Sequence, residues 1–243
     1  MGVFHSRPTR RKALYACTGG HVKGSPIMAQ SLLLTLHDTL TEKQKRVLKS
    51  KAEFMVLQGP AGTAKTYIAL ARGLMLLDKK KVDRIVIIRS PVEIRKIGFL
   101  PGDHAEKLDV YTEPYVHLID QLSPKRNFRS FVGAGLIEFH STSYLRGVTF
   151  DNSYVLCDEF QNLNEHEMDT VATRVGDGTH LVLCGDTPQS DLEHREAHEH
   201  EKILRVLTSM DEFDVVNFTV DDIVRSGFVK RYYRAKESLQ ITR

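Results

Sequence analysis

The chain has 243 residues, 41% hydrophobic and 27% charged, which is typical of a globular protein with a substantial buried core. No apolar run approaches the length of a membrane-spanning helix, and the basic N-terminus lacks the apolar stretch of a secretory signal, so we expect no membrane contact. The three cysteines are far apart and lack metal-ligand spacing, which favours a reducing, cytoplasmic setting.

Basic residues concentrate at both ends of the chain. Residues 1–30 contain five Lys/Arg and no acidic residue, and residues 225–243 contain six Lys/Arg and one acidic residue, while acidic residues outnumber basic ones between them. Basic ends on an acidic body favour contact with a polyanion such as RNA or DNA. Solvated tails that improve solubility would give the same pattern, so charge alone leaves both interpretations open.

The pattern along the chain predicts a basic arm followed by one domain. Residues 1–29 have no sustained period and mix Arg, Gly, Pro and Ser, which predicts a flexible arm, and residues 30–243 form the predicted domain. Continuous apolar, β-branched runs alternate with helical patterns, which predicts an α/β fold with a mostly parallel sheet and helices on both faces. The predicted strands are 54–58, 84–90, 136–140, 153–158, 180–185 and 214–218. The predicted helices are 42–49, capped by Thr41, then 66–78, 105–121, 164–174 and 197–209. An insertion lies around 100–135, and the sequence does not determine its form.

A glycine-rich segment with a Walker A pattern lies between the first predicted strand and the helix that follows it. In this context, backbone N–H groups and the helix dipole converge on a bound phosphate. Lys65 would reach the β- and γ-phosphates, and the Thr66 hydroxyl would hold Mg²⁺. The consensus has glycine before the lysine, whereas this chain has Ala64, whose methyl group is costly if the position needs a positive φ. The segment is Gly59-Pro60-Ala61-Gly62-Thr63-Ala64-Lys65-Thr66.

Two carboxylates end the predicted strand 153–158, which is a Walker B pattern. The carboxyl ends of parallel strands meet at one edge of a sheet, so both acids would face the Walker A loop. Asp158 would support the Mg²⁺ shell, and Glu159 would orient or deprotonate the attacking water. Adjacent acids are also common at strand ends without any chemistry, and the upstream loop is what favours a catalytic pair.

The predicted strand 180–185 runs into a polar turn that contains Asp186 and Gln189. The Gln189 amide could bond the γ-phosphate and the attacking water. Asp, Thr and Pro are also favoured turn residues, so a turn without chemistry is the alternative.

Taken together, these motifs resemble the PhoH-like family of P-loop ATPases, which is related to the core of superfamily 1 helicases. The resemblance covers about residues 38–236 and includes the segments 88–93, 144–150 and 158–162. It implies a RecA-like core, the cofactors ATP and Mg²⁺, ATP hydrolysis, and action on RNA or single-stranded DNA. The chain departs from the family pattern at Ala64, at Phe160, where alanine is usual, and at Val148, where arginine is frequent.

The resemblance also implies roles for residues outside the three motifs. Gln44 would read adenine through its amide. Arg225 resembles a family arginine that would act as an arginine finger, and Arg231 and Arg234 are alternatives for that role. Any of the three could instead be an ordinary cation at a helix end.

Cations that follow the second predicted strand are candidates for nucleic-acid contacts. The cations are Arg89, Arg95, Lys96, Arg146 and those of the loop 125–129, and the Ser90 hydroxyl beside Arg89 is a further candidate. Phe128 or Tyr144 could stack on a base. Ordinary surface cations and core aromatics are an equally good interpretation of each single residue.

The sequence contains one P-loop core and no second RecA-like domain, so we expect a neighbouring subunit to complete the site. The resemblance favours a homo-oligomeric, hexameric ring. A P-loop kinase for small molecules is a weaker alternative, because a water-orienting acid would waste ATP there. A nucleotide-dependent binding or assembly module with little turnover is a further alternative.

Overall fold

The computed structural model of the chain describes residues 40–90, 104–123, 126–145, 147–186 and 194–239. The predicted basic arm lies outside these residues. Their centre is a six-stranded sheet in the order β3-β2-β4-β5-β1-β6, and every neighbouring pair is parallel. The strands are β1 Phe54–Gln58, β2 Arg84–Arg89, β3 Ile137–Ser141, β4 Ser153–Asp158, β5 His180–Gly185 and β6 Phe213–Asn217.

Helices cover the sheet on both faces, as predicted. Met55 and Leu57 of β1 belong to an apolar cluster with Leu70 and Ile119, whereas Val56 belongs to a second cluster with Met168 and Ile203. Because successive strand residues point to opposite faces, both faces of β1 are buried, which explains its unbroken apolar sequence. The helices are α1 Glu42–Lys49, α2 Lys65–Asp78, α3 His104–Leu122, α4 Phe128–Gly133, α5 Glu165–Ala172, α6 His194–Ser209 and α7 Gly227–Ser238.

Strand order brings the predicted motifs to one edge of the sheet. β5 lies between β1 and β4, and the three strands end nearly level, since Gln58 is opposite Gly185 and Asp158 is opposite Cys184. The segments that follow these strands therefore meet at the carboxyl edge of the sheet, where open α/β folds bind ligands.

Two helices lie outside the predicted set. The helix α4 lies in the region around 100–135, whose form the sequence left open, and α7 was not predicted. No residue of α7 is fully buried, and the side that faces the rest of the chain is only half-buried, with Val229 and Tyr233 on it. Among the described helices, none has both the length and the apolar character required to cross a bilayer.

Candidate functional site

The loop between β1 and α2 has the backbone shape that its glycines predict. Gly59 has φ +150°, and a Cβ there would lie 2.6 Å from the Cβ of Phe218. Gly62 has φ +91°. Ala64, directly before α2, also adopts the left-handed conformation, with φ 61° and ψ 32°. Its methyl group therefore occupies the position where it is costly, at about 1 kcal/mol, and the loop tolerates this.

Lys65 is buried and crosses the concave side of this loop. Its Nζ donates to the carbonyl oxygens of Gly59 at 2.8 Å and Pro60 at 3.1 Å. The same ammonium pairs with Asp186 Oδ1 at 2.7 Å. The predicted loop lysine and the polar turn after β5 are thus in direct contact, and the ammonium lies where loop and strand ends meet.

Asp158 is held at both oxygens. The Thr66 hydroxyl donates to Asp158 Oδ1 at 2.9 Å, and the Tyr115 hydroxyl donates to Oδ2 at 2.7 Å. Burial raises the pKa of Asp158, while the Tyr115 hydrogen bond and the Arg89 charge oppose that rise. A hydroxyl beside a carboxylate is the hard oxygen pair that Mg²⁺ prefers, so Thr66 and Asp158 fit a magnesium ion that also binds phosphate and water.

Glu159 adopts a left-handed backbone conformation with φ 54° and ψ 42°, which is uncommon for a residue with a side chain. Burial raises the pKa of its carboxyl, and the negative charges of Asp158 and Asp186 add to the rise. Its Oε2 accepts a hydrogen bond from Gln161 Nε2 at 2.5 Å. A carboxylate with a raised pKa is better matched to taking a proton near neutral pH, which fits the predicted general base.

Gln161 also contacts the segment after β5. Its Oε1 accepts the backbone N–H of Asp186 at 3.0 Å, so one side chain joins Glu159 to the end of β5. Sequence reasoning gave Gln161 no role, and its place two residues after Glu159 was the available signal.

Gln44 joins α1 to the glycine-rich loop. Its Nε2 donates to the Thr63 carbonyl at 3.0 Å, and its Oε1 accepts the Thr41 N–H at 3.0 Å in a capping box. Both halves of the amide are therefore engaged within the chain. The adenine-reading role implied by the family resemblance stays a prediction, and in this structure Gln44 braces the loop.

The segment before α7 packs against the same loop. The Val224 N–H donates to the Gly62 carbonyl at 3.1 Å, and Arg225 Cδ lies 3.3 Å from the position of a Cβ on Gly62. Burial raises the pKa of Tyr233, and a hydrogen bond with the backbone of Ala61 opposes that rise. Arg225 therefore lies at the loop of its own chain.

Two of the residues predicted to contact nucleic acid, Arg89 and Ser90, make contacts within the fold. The Arg89 guanidinium lies 5.9 Å from the centre of the Tyr115 ring and helps to lower the pKa of Asp158 and Glu159, so it acts on the carboxylate pair. Ser90 is buried and donates to Glu167 at 3.3 Å. Both residues serve contacts within the fold.

The two candidate stacking aromatics also differ. Phe128 packs against Phe139 with ring centres 5.7 Å apart and adjoins the core, whereas Tyr144 is 65% exposed at the carboxyl end of β3. Tyr144 alone of the two presents its ring to solvent. The predictions for Arg146, Gln189, Arg95, Lys96 and Lys125 concern residues outside those that the structure describes.

A family model described as PhoH-like protein matches residues 38–237. A PhoH-like protein of Mycobacterium tuberculosis is 36% identical over 185 residues, which are 74% of this chain and 52% of the relative. Protein PhoH of Escherichia coli is 31% identical over 218 residues, which are 87% of this chain and 58% of the relative. The chain thus spans a little over half the length of these relatives.

A solved structure extends the comparison to the fold. The large terminase of a thermophilic bacteriophage, in complex with ATP-gamma-S, aligns with a TM-score of 0.50 and 14% identity, covering 80% of this chain and 49% of the terminase. At this identity the likeness concerns the P-loop ATPase fold alone.

Proposed function

Because the chain belongs to the PhoH-like family, we propose that it is an Mg²⁺-dependent ATPase that couples hydrolysis to binding, remodelling or unwinding of RNA or single-stranded nucleic acid. The observation that carries the proposal is the Thr66–Asp158 hydrogen bond of 2.9 Å, with Glu159 next along the chain. It joins the phosphate-binding loop to the carboxylates at the end of β4. The terminase of similar fold was solved with an ATP analogue, which supports nucleotide binding by such a core.

Nucleotide binding would use the loop and the residues at the start of α2. Backbone N–H groups of the loop would contact the phosphates, and Lys65 would exchange its present carbonyl and carboxylate partners for phosphate oxygens. Thr66 and Asp158 would hold Mg²⁺, which neutralises phosphate charge when bound.

Hydrolysis would depend on the carboxylate of Glu159, held by Gln161, to orient water and take its proton. Gln189 is the predicted partner for the γ-phosphate. Arg225 lies on the loop of its own chain, which supports action on the nucleotide bound there. Its delocalised cation would stabilise charge that develops on the phosphate.

Nucleic-acid binding is supported by charge and by one exposed aromatic ring. The ends of the chain are basic, and Tyr144 projects at the same sheet edge as the nucleotide loop. Stacking on such a ring is tolerant of sequence, and contacts from Arg146 and the basic ends would be sensitive to salt.

Assembly into a ring is supported by two apolar surfaces that the described residues leave exposed. Phe228, Tyr232 and Leu239 are exposed at helical spacing on α7 and beyond its end, beside the basic Arg231 and Arg234. We call this surface the α7 stripe. Exposed aromatic residues on one side of a helix are typical of a protein interface.

The second surface is an apolar groove of about 370 Å³ between α5 and α6, where β1, β5 and β6 begin. Met168, Ile203 and Val206 line it. The charged groups at the groove are Glu165, Asp169 and Lys202, and Lys202 lies 3.9 Å from Glu165. The α7 stripe adjoins the opposite edge of the sheet, and its Arg234 pairs with Asp221 at 2.8 Å, so the two apolar surfaces of one chain cannot meet each other. Contact between different surfaces of two copies is head to tail, and it forms a ring if it closes.

A binding or assembly module with little turnover is the second candidate. The observation that favours it is the engagement of Lys65 by two loop carbonyls and Asp186, together with the left-handed Ala64. In that case nucleotide would bind and remain intact.

Two variants separate binding from turnover. In Glu159→Gln we expect Mg-ATP affinity close to wild type and phosphate release slower by about 10²–10⁴-fold, because the base is lost and the shape is kept. In Lys65→Ala we expect affinity itself to fall. Equilibrium binding of a fluorescent ATP analogue and phosphate release are measured on the same samples.

Release from Glu159→Gln at the wild-type rate would remove Glu159 from the mechanism. Wild-type protein that binds Mg-ATP and releases no phosphate would favour the module.

A further inference from the structure

Tyr115 belongs to none of the motifs that predict the site, yet it contacts the carboxylate at its centre. The residue lies on α3, is 1% exposed, and donates its hydroxyl to Asp158 Oδ2 at 2.7 Å. Thr66 occupies the other oxygen, Oδ1. With a donor on each oxygen, the plane of the carboxylate is fixed from two sides.

The Tyr115 ring is itself held in place. Phe139 of β3 packs against it with ring centres 5.5 Å apart in a tilted arrangement. On β2, the Arg89 guanidinium lies 5.9 Å from the ring centre, within the range of a cation–π contact. The hydroxyl therefore has a defined position relative to the ends of β2, β3 and β4.

We propose that Tyr115 is a positioning residue for the magnesium site, an inference that rests on the proposed function. It holds the Asp158 carboxylate so that Oδ1 stays beside the Thr66 hydroxyl, the pair that fits Mg²⁺. Magnesium demands near-ideal octahedral geometry, so a carboxylate free to rotate binds it less well. Partners that orient a metal-binding side chain typically change metal affinity by about 10- to 100-fold.

The chain offers a matched control in Tyr154. This tyrosine is also fully buried, and its hydroxyl donates to the Ala69 carbonyl at 2.7 Å. Replacing either tyrosine with phenylalanine removes one buried hydroxyl and one hydrogen bond of equal length. Both variants should lose thermal stability, Tyr115→Phe the more because its hydroxyl bonds a carboxylate rather than a neutral carbonyl, and only Tyr115→Phe should disturb Asp158.

The experiment measures affinity for a fluorescent ADP analogue in EDTA and then across a Mg²⁺ titration. For Tyr115→Phe we expect unchanged affinity in EDTA and about a 10- to 100-fold rise in the Mg²⁺ concentration that half-saturates the metal-dependent change. Tyr154→Phe should titrate like wild type. Unfolding temperatures of both variants establish that they are folded.

Equal Mg²⁺ titrations for Tyr115→Phe, Tyr154→Phe and wild type would overturn the role of Tyr115 and leave the proposed function intact. A weaker affinity of Tyr115→Phe in EDTA, with an unchanged Mg²⁺ midpoint, would reduce Tyr115 to a structural residue. Wild-type protein that binds no nucleotide would overturn both proposals.

Discussion

Two residues of the candidate site carry backbone strain. Ala64 and Glu159 adopt left-handed conformations with φ 61° and 54°, and each directly adjoins residues that bind or act at the site. Such conformations cost of order 1–3 kcal/mol and persist where the surroundings determine them. The predicted cost of the Ala64 methyl group is therefore real. Lys80 and Asn152 also adopt positive φ, so it is the position at the ends of β1 and β4 that ties the strain of Ala64 and Glu159 to the site.

His200 on α6 is a buried group that the proposed chemistry does not use. It is fully buried, neither ring nitrogen has a hydrogen-bond partner among the described residues, and its ring lies 4.9 Å from that of Phe160. Burial lowers the pKa of His200 to about 4. The unfolded chain, with an ordinary pKa near 6.5, takes up the proton first as pH falls.

The lowered pKa of His200 therefore contributes fully to the free energy of unfolding above about pH 6.5, and this contribution is lost as pH falls toward about 4. We expect wild type to lose roughly 2–3 kcal/mol more than His200→Leu in the free energy of unfolding between pH 8 and pH 4. Urea unfolding at both pH values measures the difference. Parallel losses in the two proteins would contradict a buried neutral histidine.

At the scale of elements, the strands were the most predictable part. The predicted bounds of β1, β4 and β5 agree with the structure to the residue, because strands buried on both faces are unbroken apolar runs. The helix α7 was missed because it has no fully buried residue and its half-buried side has few apolar residues, so its apolar period is weak.

The parts of the site that come from recognisable sequence motifs were predictable. Lys65, Thr66, Asp158 and Asp186 come together as their motifs predict. Tyr115 reaches the site only through the packing of α3, a contact between residues 43 positions apart, so no local pattern could indicate it.

The α7 stripe carries the prediction that belongs to this scale. Replacing Phe228 and Tyr232 together with serine should dissociate the proposed oligomer, because it removes the two largest apolar groups of an exposed surface. Light scattering gives the particle mass, and Glu237→Ser, an exposed change in the same helix, is the control. Wild-type protein that is monomeric, or a double variant with unchanged mass, would contradict assembly through this stripe.

At the scale of the whole molecule, the carboxyl edge of the sheet gathers the chemistry. The glycine-rich loop, the paired carboxylates, Asp186 and the exposed Tyr144 all lie at this edge, while the apolar groove adjoins the beginnings of β1, β5 and β6. A nucleotide and a nucleic acid bound at the same edge would share the β2 end, where Arg89 adjoins the Tyr115 ring. An element shared by both sites is one route by which hydrolysis and nucleic-acid binding can be coupled.

The most direct test of this coupling is the rate of phosphate release from Mg-ATP by the full chain, with and without single-stranded RNA, beside Lys65→Ala. We expect turnover that rises with RNA, that loses this stimulation as salt increases, and that disappears in the variant. Turnover that is identical with and without RNA at low salt would contradict the coupling, and turnover that survives in Lys65→Ala would contradict the site itself.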